Sequence, residues 1–351
     1  MSGTAIHVRR DDLRQAAPAA QPSAPLQPGE ARFRVDRFAL TSNNVTYAAH
    51  GDDLAYWRFY PASDSQGIVP VWGFGTVEES RVEGIAVGDR FYGYWPMATH
   101  AVLTPVKVSA RGFTDGAAHR AELPAVYNGF QRWTGSGDEE AVQALFRPLY
   151  TTSFLIADRI AGGAKPDAVI MSSASSKTAL GLAHALGGTG VTRIGLTSSR
   201  NRGFVESSDV FDSVLTYDEI DRAEGATAVY VDFAGDPAVR RAVHRRYGDG
   251  LTADIIVGDT HWDVANAPEA LPGARPEFFF APTYLAERLA DWGPAEFERR
   301  IGESWAGFTG YARGWLKLVE GRGADEVARQ WTRMAGGDVD PREGLMLSLH
   351  D

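Results

Sequence analysis

Short hydrophobic runs separated by glycines dominate the sequence from Ala31 onward. They lie at Phe33–Phe38, Ile68–Trp72, Gly75–Val77 and Arg90–Tyr94. Runs of this length, with glycines between them, are typical of strands and turns. This part of the sequence therefore predicts a β-rich domain. Residues 1–30, which include an Ala- and Pro-rich stretch, predict a flexible lead-in to that domain.

A different pattern begins near Phe146, where apolar runs alternate with segments of helical character such as Thr178–Leu186. The runs that predict strands are Asp167–Ser172, Thr192–Leu196, Asp212–Leu215, Ala228–Asp232 and Ala253–Val257. Such alternation predicts an α/β domain with a doubly wound parallel sheet of the Rossmann type. We expect this domain at 151–285, inserted between two parts of the β-rich domain at 31–150 and 286–351.

The composition and charge of the chain exclude or disfavour several classes of function. The 351 residues carry a net charge of −10, which disfavours nucleic acid as the main partner. Cysteine is absent, so disulfides, thiolate metal ligands and catalytic thiols are excluded. No apolar stretch is long enough to cross a membrane, and no secretory signal is visible, so a cytoplasmic protein without a membrane partner is expected.

A loop of small residues joins the first predicted parallel strand to the following helix. It contains Ser173, Ser175, Ser176, Lys177 and Thr178. Backbone N–H groups at such a helix start can approach a pyrophosphate, and small residues permit that approach in place of the usual glycines. We therefore predict a dinucleotide site here, with Lys177 bonded to phosphate; a solvated loop lysine is the alternative.

The loop after the second parallel strand carries no acidic residue, although an NAD site usually places Asp or Glu there for the ribose 2′-hydroxyl. Its polar and basic residues are Thr197, Ser198, Ser199, Arg200, Asn201 and Arg202. Arginine binds phosphate bidentately, so this composition indicates the 2′-phosphate of NADP(H). An exposed polar turn with no ligand is the alternative interpretation.

Two glycine motifs in the β-rich part carry a resemblance to a known superfamily. Gly73–Val77 and Val87–Gly93 resemble the G-x-V and G-D-R-V-x-G signature of the medium-chain dehydrogenases and reductases. Over residues 31–350 the chain resembles, more closely, the bacterial family DUF2855. The resemblance implies a GroES-like β-barrel domain that binds a small-molecule substrate, followed by a Rossmann domain. Since cysteines are lacking, the zinc-free branch, without a metal, is the one it resembles.

The zinc-free reductases commonly read N-x-x-D after the second strand, and this chain departs from that pattern. The segment here contains Asn43, Asn44, Thr46 and Tyr47, with Thr46 or Tyr47 at the place of the aspartate. In enoyl-type reductases a tyrosine near that place is compatible with proton donation. We therefore assign Tyr47 as the hydroxyl that binds or protonates the substrate, with Asn44 and Thr46 as polarising groups. A packing role for Tyr47 in a β-strand is the alternative.

Two further segments mix aromatic and polar side chains in predicted loops, and both are candidates to line the substrate pocket. They contain Tyr94 and Trp95, and Tyr127 and Asn128. Together these residues favour an NADP(H)-dependent reductase of carbonyls or conjugated C=C bonds, since the nicotinamide performs the hydride transfer and few side chains are needed. The alternative is a non-catalytic NADP(H)-binding or sensor protein on the same fold.

The resemblance also implies a homodimer, because members of the superfamily often pair through the edges of their nucleotide-domain sheets. The apolar run Phe278–Phe280 is a candidate for such an edge strand.

Overall fold

A computed structural model of the chain describes residues 3–258 and 271–351. Its strands, in chain order, are β1 (Gly3–Arg9), β2 (Ala16–Gln21), β3 (Ala31–Leu40), β4 (Gln66–Gly67), β5 (Pro70–Ser80), β6 (Arg90–Pro96), β7 (His100–Leu103), β8 (Pro105–Ser109), β9 (Gly112–Asp115), β10 (Gly129–Arg132), β11 (Ala168–Met171), β12 (Thr192–Thr197), β13 (Ser213–Thr216), β14 (Ala228–Asp232), β15 (Leu251–Ile256), β16 (Pro276–Phe278), β17 (Lys317–Arg322) and β18 (Glu343–Ser348).

The helices alternate with strands mainly in the second half of the chain. They are α1 (Ser42–Ala49), α2 (Asp138–Ala161), α3 (Lys177–Ala185), α4 (Arg202–Ser207), α5 (Pro237–Tyr247), α6 (Ala281–Trp292), α7 (Pro294–Arg313) and α8 (Ala324–Ala335). The chain folds into two compact units. The first unit consists of Met1–Arg147 and Lys317–Asp351, and the second consists of Pro148–Leu316.

The first unit is built on β-sheets. Within the described residues, nine strands form one sheet in the order β17-β18-β3-β5-β6-β10-β9-β8, with β7 paired to β3. Strand β5 joins two of the predicted runs into one strand, and its neighbours β3 and β6 are antiparallel to it. The prediction of a β-rich domain is confirmed for this part of the chain.

The lead-in that we expected to be flexible contains two paired strands. β1 pairs antiparallel with β2, and β1 also pairs with β4. The side chains of Ala5, Ile6 and Val8 on β1 are buried. Helix α8 covers this small sheet, and the Trp331 indole N–H donates to the Leu13 carbonyl at 2.7 Å. The segment is therefore held by hydrogen bonds and burial.

The second unit contains the parallel sheet. Over the part of the chain that the structure describes, six strands pair in the order β13-β12-β11-β14-β15-β16, and all five pairings are parallel. This is the doubly wound strand order. Strands β11 to β13 extend the sheet in one direction and β14 to β16 extend it in the other, so the strand order reverses between β11 and β14. The fold is therefore mixed α/β, with antiparallel sheets and a six-stranded Rossmann-like sheet, as predicted.

Residues 286–316, which we expected in the β-rich domain, lie in the second unit. The reason is the apolar face of α7, because Phe297 and Ile301 join the core formed by β11 and α3 side chains such as Val169 and Leu180. Helix α7 therefore packs on the parallel sheet, and the chain re-enters the first unit only at β17.

We expect Trp331→Phe to lower the free energy of unfolding by about 1–3 kcal/mol, since it leaves the Leu13 carbonyl without its donor in a buried place. Urea denaturation measures this loss, and proteolysis of the first 20 residues should accelerate. Trp292→Phe is the matched control, because Trp292 is half-buried and no hydrogen bond from its indole is found among the described residues. Equal losses in the two variants would contradict the prediction.

Candidate functional site

The predicted dinucleotide loop lies at the carboxyl end of β11, where α3 begins. Ser176 caps this helix, because its side chain accepts the Ala179 N–H at 3.2 Å. Ser173 has φ +46°, a left-handed conformation that a glycine adopts at lower cost. Its N–H donates to the Tyr217 hydroxyl at 3.1 Å. Serines thus form a turn of the kind that glycines usually form, and Tyr217 supports it.

The two predicted cofactor loops lie side by side. The Asn201 side-chain amide donates to the Ser175 hydroxyl at 3.1 Å, and the Ala174 N–H donates to the Leu196 carbonyl at 3.0 Å. Lys177 and Thr178 form the first turn of α3 and are half-buried. The structure therefore brings the residues that we predicted for phosphate and for the adenosine end of the cofactor to one edge of the sheet.

The arginines of the second loop differ in their environment. Arg200 is exposed, and no side-chain partner for it is found in residues 3–258 or 271–351. Arg202 instead forms ion pairs with Glu206 at 2.8 Å and Glu219 at 2.9 Å. A phosphate contact therefore stays a prediction for Arg200, whereas Arg202 is already paired with two carboxylates.

Ser199 is exposed beside Arg200, and Ser198 is half-buried. Thr197 ends β12 and is buried, with 1% of its surface exposed. These three hydroxyl side chains and Arg200 therefore follow one another along the chain from the core of the sheet to its surface.

In the first unit, the predicted catalytic residue Tyr47 and the predicted substrate residues Tyr94 and Tyr127 lie in one cluster of aromatic rings, which we call the tyrosine cluster. The rings of Tyr94 and Tyr127 stack at 4.6 Å, and the Tyr47 ring lies 5.5 Å from Tyr94 and 6.2 Å from Tyr127. Two residues that we did not predict complete the cluster. The Trp72 indole donates to the Tyr47 hydroxyl at 3.4 Å, and the Tyr56 and Tyr127 hydroxyls are 3.2 Å apart.

Burial raises the pKa of the Tyr47, Tyr56, Tyr94 and Tyr127 hydroxyls. All four hydroxyls therefore keep their protons at neutral pH, and one of the Tyr56 and Tyr127 hydroxyls donates to the other. The Tyr94 hydroxyl is buried and finds no partner within the described chain. The arrangement can thus bind an oxygen acceptor among aromatic rings.

Other predicted site residues have structural partners. Tyr47 lies on helix α1, so a role in a β-strand is wrong. Asn44 caps the same helix, since its side-chain oxygen accepts the Thr41 N–H at 2.8 Å and its amide donates to the Pro70 carbonyl at 3.0 Å. Both ends of the Asn44 amide are therefore used within the fold. Thr46 is on α1 as well and is 9% exposed.

Trp95 and Asn128 differ from their neighbours in the sequence. Trp95 projects from the face of β6 opposite Tyr94, meets the Phe130 ring edge-to-face with the ring centroids 4.7 Å apart, and donates to the Gly73 carbonyl. It belongs to the core of the sheet rather than to the tyrosine cluster. The Asn128 amide donates to the Arg120 carbonyl at 3.3 Å, while its side-chain oxygen is buried without a partner in the described residues.

A buried ion pair supports the tyrosine cluster and was not predicted. Arg120 and Asp115 lie 3.1 Å apart, each with 1% of its side chain exposed. The Arg120 guanidinium also donates to the Phe59 carbonyl, and the Phe59 ring lies 5.4 Å from Tyr127. Nothing in the sequence distinguishes these two charged residues from surface residues, so the pair could be found only from the structure.

Four buried titratable side chains on β14, α5 and β15 contact one another in a row, and this row was also not predicted. Asp232 and Arg240 are 2.6 Å apart, Arg240 and Asp254 are 3.6 Å apart, and His244 Nε2 is 2.8 Å from Asp254. The other ring nitrogen of His244 is 2.7 Å from the Pro272 carbonyl. Both ring nitrogens therefore face acceptors. We call these four side chains, Asp232, Arg240, Asp254 and His244, the buried charge chain.

Burial alone would lower the pKa of His244, but the hydrogen bonds to Asp254 and to the Pro272 carbonyl, and the Asp254 charge, outweigh burial and Arg240, so the pKa is raised. A raised pKa means that the protonated imidazole stabilises the fold below the unfolded-state pKa of about 6.5. This contribution is lost as the pH rises through the folded-state value.

We therefore expect the free energy of unfolding to fall as the pH rises above about 6.5, and His244→Gln to remove that dependence. Urea denaturation between pH 6 and 9 measures this dependence. His184→Gln is the control, because burial and the Arg193 charge lower the pKa of His184, so its contribution changes below about pH 6.5 and the fall at higher pH should remain. A wild type whose stability rises through this range would contradict the assignment.

No helix among the described residues combines the length and the apolarity that a membrane crossing requires. Within the same residues, no group of three His, Cys, Asp or Glu side chains is arranged to hold a metal ion.

Comparisons with solved structures assign the fold. CurA from Vibrio vulnificus in complex with NADPH is 14% identical, covers 99% of both chains and has a TM-score of 0.65. A mutant form of enoyl thioester reductase from Candida tropicalis is 10% identical over 99% of this chain and 100% of its own, with a TM-score of 0.60. The human synaptic vesicle membrane protein VAT-1 homolog-like protein is 16% identical over 100% and 99%, with a TM-score of 0.57. The fold is therefore that of the medium-chain dehydrogenases and reductases.

No curated protein matches the sequence. One family model does match, over residues 38–340, and its description is "Protein of unknown function (DUF2855)". The match includes the tyrosine cluster, both cofactor loops and the buried charge chain. The chain thus belongs to the DUF2855 family.

Proposed function

We propose that this protein is a zinc-independent, NADP(H)-dependent reductase that transfers hydride to a carbonyl or to a conjugated C=C bond of the quinone, enone or enoyl type. The observation that carries the proposal is Arg200. It is an exposed cation without a partner in the described chain, and the loop that carries it, residues 197–202 after β12, has no Asp or Glu of its own for a ribose 2′-hydroxyl. A phosphate there would compensate its charge.

The residues of the two loops fit the two ends of the cofactor. Ser173, Ser175, Ser176, Lys177 and Thr178 surround the start of α3, where the helix dipole and the first N–H groups favour a pyrophosphate. Thr197, Ser198, Ser199, Arg200 and Asn201 follow β12 and would bind the adenosine ribose with its 2′-phosphate. The fold likeness to CurA, whose structure contains NADPH, supports this assignment.

When bound, NADPH would supply the hydride. The remaining task of the protein is to bind and polarise the acceptor oxygen, and the tyrosine cluster supplies neutral hydroxyl donors for that purpose. The Tyr47 ring contacts Tyr56, Tyr94 and Tyr127, and its hydroxyl accepts the Trp72 indole N–H. We assign the hydrogen bond to the substrate oxygen to Tyr47, and aromatic contacts with the substrate to Tyr94 and Tyr127. Asn44, Thr46, Trp95 and Asn128 would act by holding these residues in place.

Arg200→Ala is expected to weaken NADPH binding selectively. A charge-assisted bond to phosphate contributes about 1.5–3 kcal/mol, which corresponds to roughly a tenfold to hundredfold rise in Kd. NADH, which lacks the phosphate, should bind almost as before. Fluorescence titration with both nucleotides measures the difference.

Arg202→Ala is the matched control for this prediction, because Glu206 and Glu219 already hold that guanidinium. Its effect on the NADPH Kd should remain below about threefold. Equal weakening of NADPH and NADH by Arg200→Ala, or a wild type that prefers NADH, would show that the phosphate lies elsewhere.

Tyr47→Phe is expected to reduce kcat about a hundredfold with a quinone or enone substrate, since one donor to the developing oxyanion is lost. NADPH binding should not change. The readout is nicotinamide absorbance under steady-state conditions. Tyr60→Phe is the control, because its hydroxyl donates to the Tyr94 backbone carbonyl and is committed to the fold. Normal turnover by Tyr47→Phe would remove Tyr47 from the mechanism.

A non-catalytic NADP(H)-binding protein is the second candidate function. It is favoured by Asn44, because both ends of its amide are used within the fold and are not free to polarise a substrate. NADPH binding by the wild type without turnover of any quinone or enone would favour this candidate.

The homodimer remains a prediction. Strand β16 lies at the edge of the described parallel sheet, and Phe278 on it is 41% exposed. This placement is compatible with pairing between two copies along the edge.

A further inference from the structure

Ser172 and Asp232 join two loops at the point where the strand order of the parallel sheet reverses. Ser172 follows β11 directly, and Asp232 is the last residue of β14. The Ser172 hydroxyl donates to Asp232 Oδ1 at 2.7 Å, and both residues have no exposed surface. A dinucleotide on a doubly wound sheet crosses at this reversal point. We call this pair the switch-point pair.

The remaining bonds of the pair go to the backbone of the loop after β14. The Phe233 and Ala234 N–H groups donate to Ser172 Oγ at 2.9 and 3.1 Å. The Ala234 and Gly235 N–H groups donate to Asp232 Oδ1, both at 3.0 Å. Three consecutive N–H groups are therefore bound by two side chains, and the path of this loop is fixed from within.

The second oxygen of Asp232 is bound by the Arg240 guanidinium at 2.6 Å. An unpaired carboxylate with no exposed surface would carry a large desolvation cost, which Arg240 offsets. Asp254 and His244 continue the buried charge chain on the far side of Arg240, and within the described residues their side chains form no hydrogen bond to either loop. Within the buried charge chain, Asp232 is thus the residue whose side chain accepts hydrogen bonds from the loops.

Two further hydrogen bonds hold residues 173–176, which we call the serine loop. Asn201 binds Ser175, and Tyr217 binds the Ser173 N–H. A loop of serines lacks the conformational freedom of a glycine loop, so its fit to a pyrophosphate depends on where these contacts place it. The switch-point pair connects that placement to the loop after β14.

We propose that Asp232, acting through Ser172, is a positioning residue for dinucleotide binding: it holds residues 173–176 and 233–235 in the arrangement that accepts the cofactor. This rests on the proposed function. Asp232 itself does not touch the cofactor, because all the atoms of its carboxylate are engaged by protein groups and buried.

The test compares Asp232→Asn with Asp254→Asn. Both remove one charge from the buried charge chain, but Asp254 does not bind the loops, so it controls for a general loss of stability. Two readouts are measured on each full-length variant: the NADPH Kd by fluorescence titration, and amide hydrogen exchange of peptides that cover 172–179 and 232–237. Exchange reports on the loops whether or not nucleotide binds.

For Asp232→Asn we expect faster exchange in both peptides and a rise in Kd of at least about tenfold. Asp254→Asn should change the Kd by less than about threefold and leave the exchange of these peptides near that of the wild type. Ser172→Ala removes one hydroxyl and should reproduce the effects of Asp232→Asn, so it keeps the test decisive if Asp232→Asn fails to fold.

Equal effects of Asp232→Asn and Asp254→Asn on both readouts would overturn the proposal, because they would indicate general destabilisation. Normal NADPH binding by both Asp232→Asn and Ser172→Ala would overturn it as well, while leaving the proposed function in place. A wild type that binds neither NADPH nor NADH would refute the proposed function itself, and with it the role in dinucleotide binding.

Discussion

The buried Asp232 carboxylate, at the carboxyl ends of the parallel strands, is the group on which the geometry of the proposed nucleotide site depends. Adjacent parallel strands deliver their loops to one edge, and at the reversal point the loops after β11 and β14 must share that space. Asp232 accepts bonds from both, and Arg240 keeps its buried charge paired. Hydrogen bonds, rather than the conformational freedom of glycines, fix the path of the loop after β11. A loop of serines can therefore adopt a turn that glycines usually form.

Hydrophobic periodicity predicted most of the fold because burial decides where strands form. Both faces of β11 and β14 are covered, so their residues form continuous apolar runs that can be recognised without a structure. The strands β1 and β2 could not be predicted this way, since β2 is a run of Ala and Pro whose order comes from pairing with β1. Helix α7 was assigned to the wrong domain because an amphipathic pattern shows that a face is buried but not against which sheet.

The residues of the candidate site could be predicted only in part, because a sequence pattern does not show which side chains meet in space. Composition identifies loops of small and basic residues as candidates for a cofactor, but it cannot show that Arg202 is paired while Arg200 has no partner among the described residues. Asn44 was taken for a polarising group, although Thr41 three residues before it was a signal for a helix cap. The buried charge chain joins residues far apart in sequence. The spacing of Arg240 and His244, four residues apart on α5, is a signal that could have placed these two side chains on one face.

The central claim is that the serine loop and the loop after β12 hold NADPH, and a crystal structure of the protein grown with NADPH tests it most directly. The account predicts density for the pyrophosphate beside residues 173–178 and for the 2′-phosphate beside Ser199 and Arg200. Density for the nucleotide at another surface, or a 2′-phosphate that points away from Arg200, would contradict it.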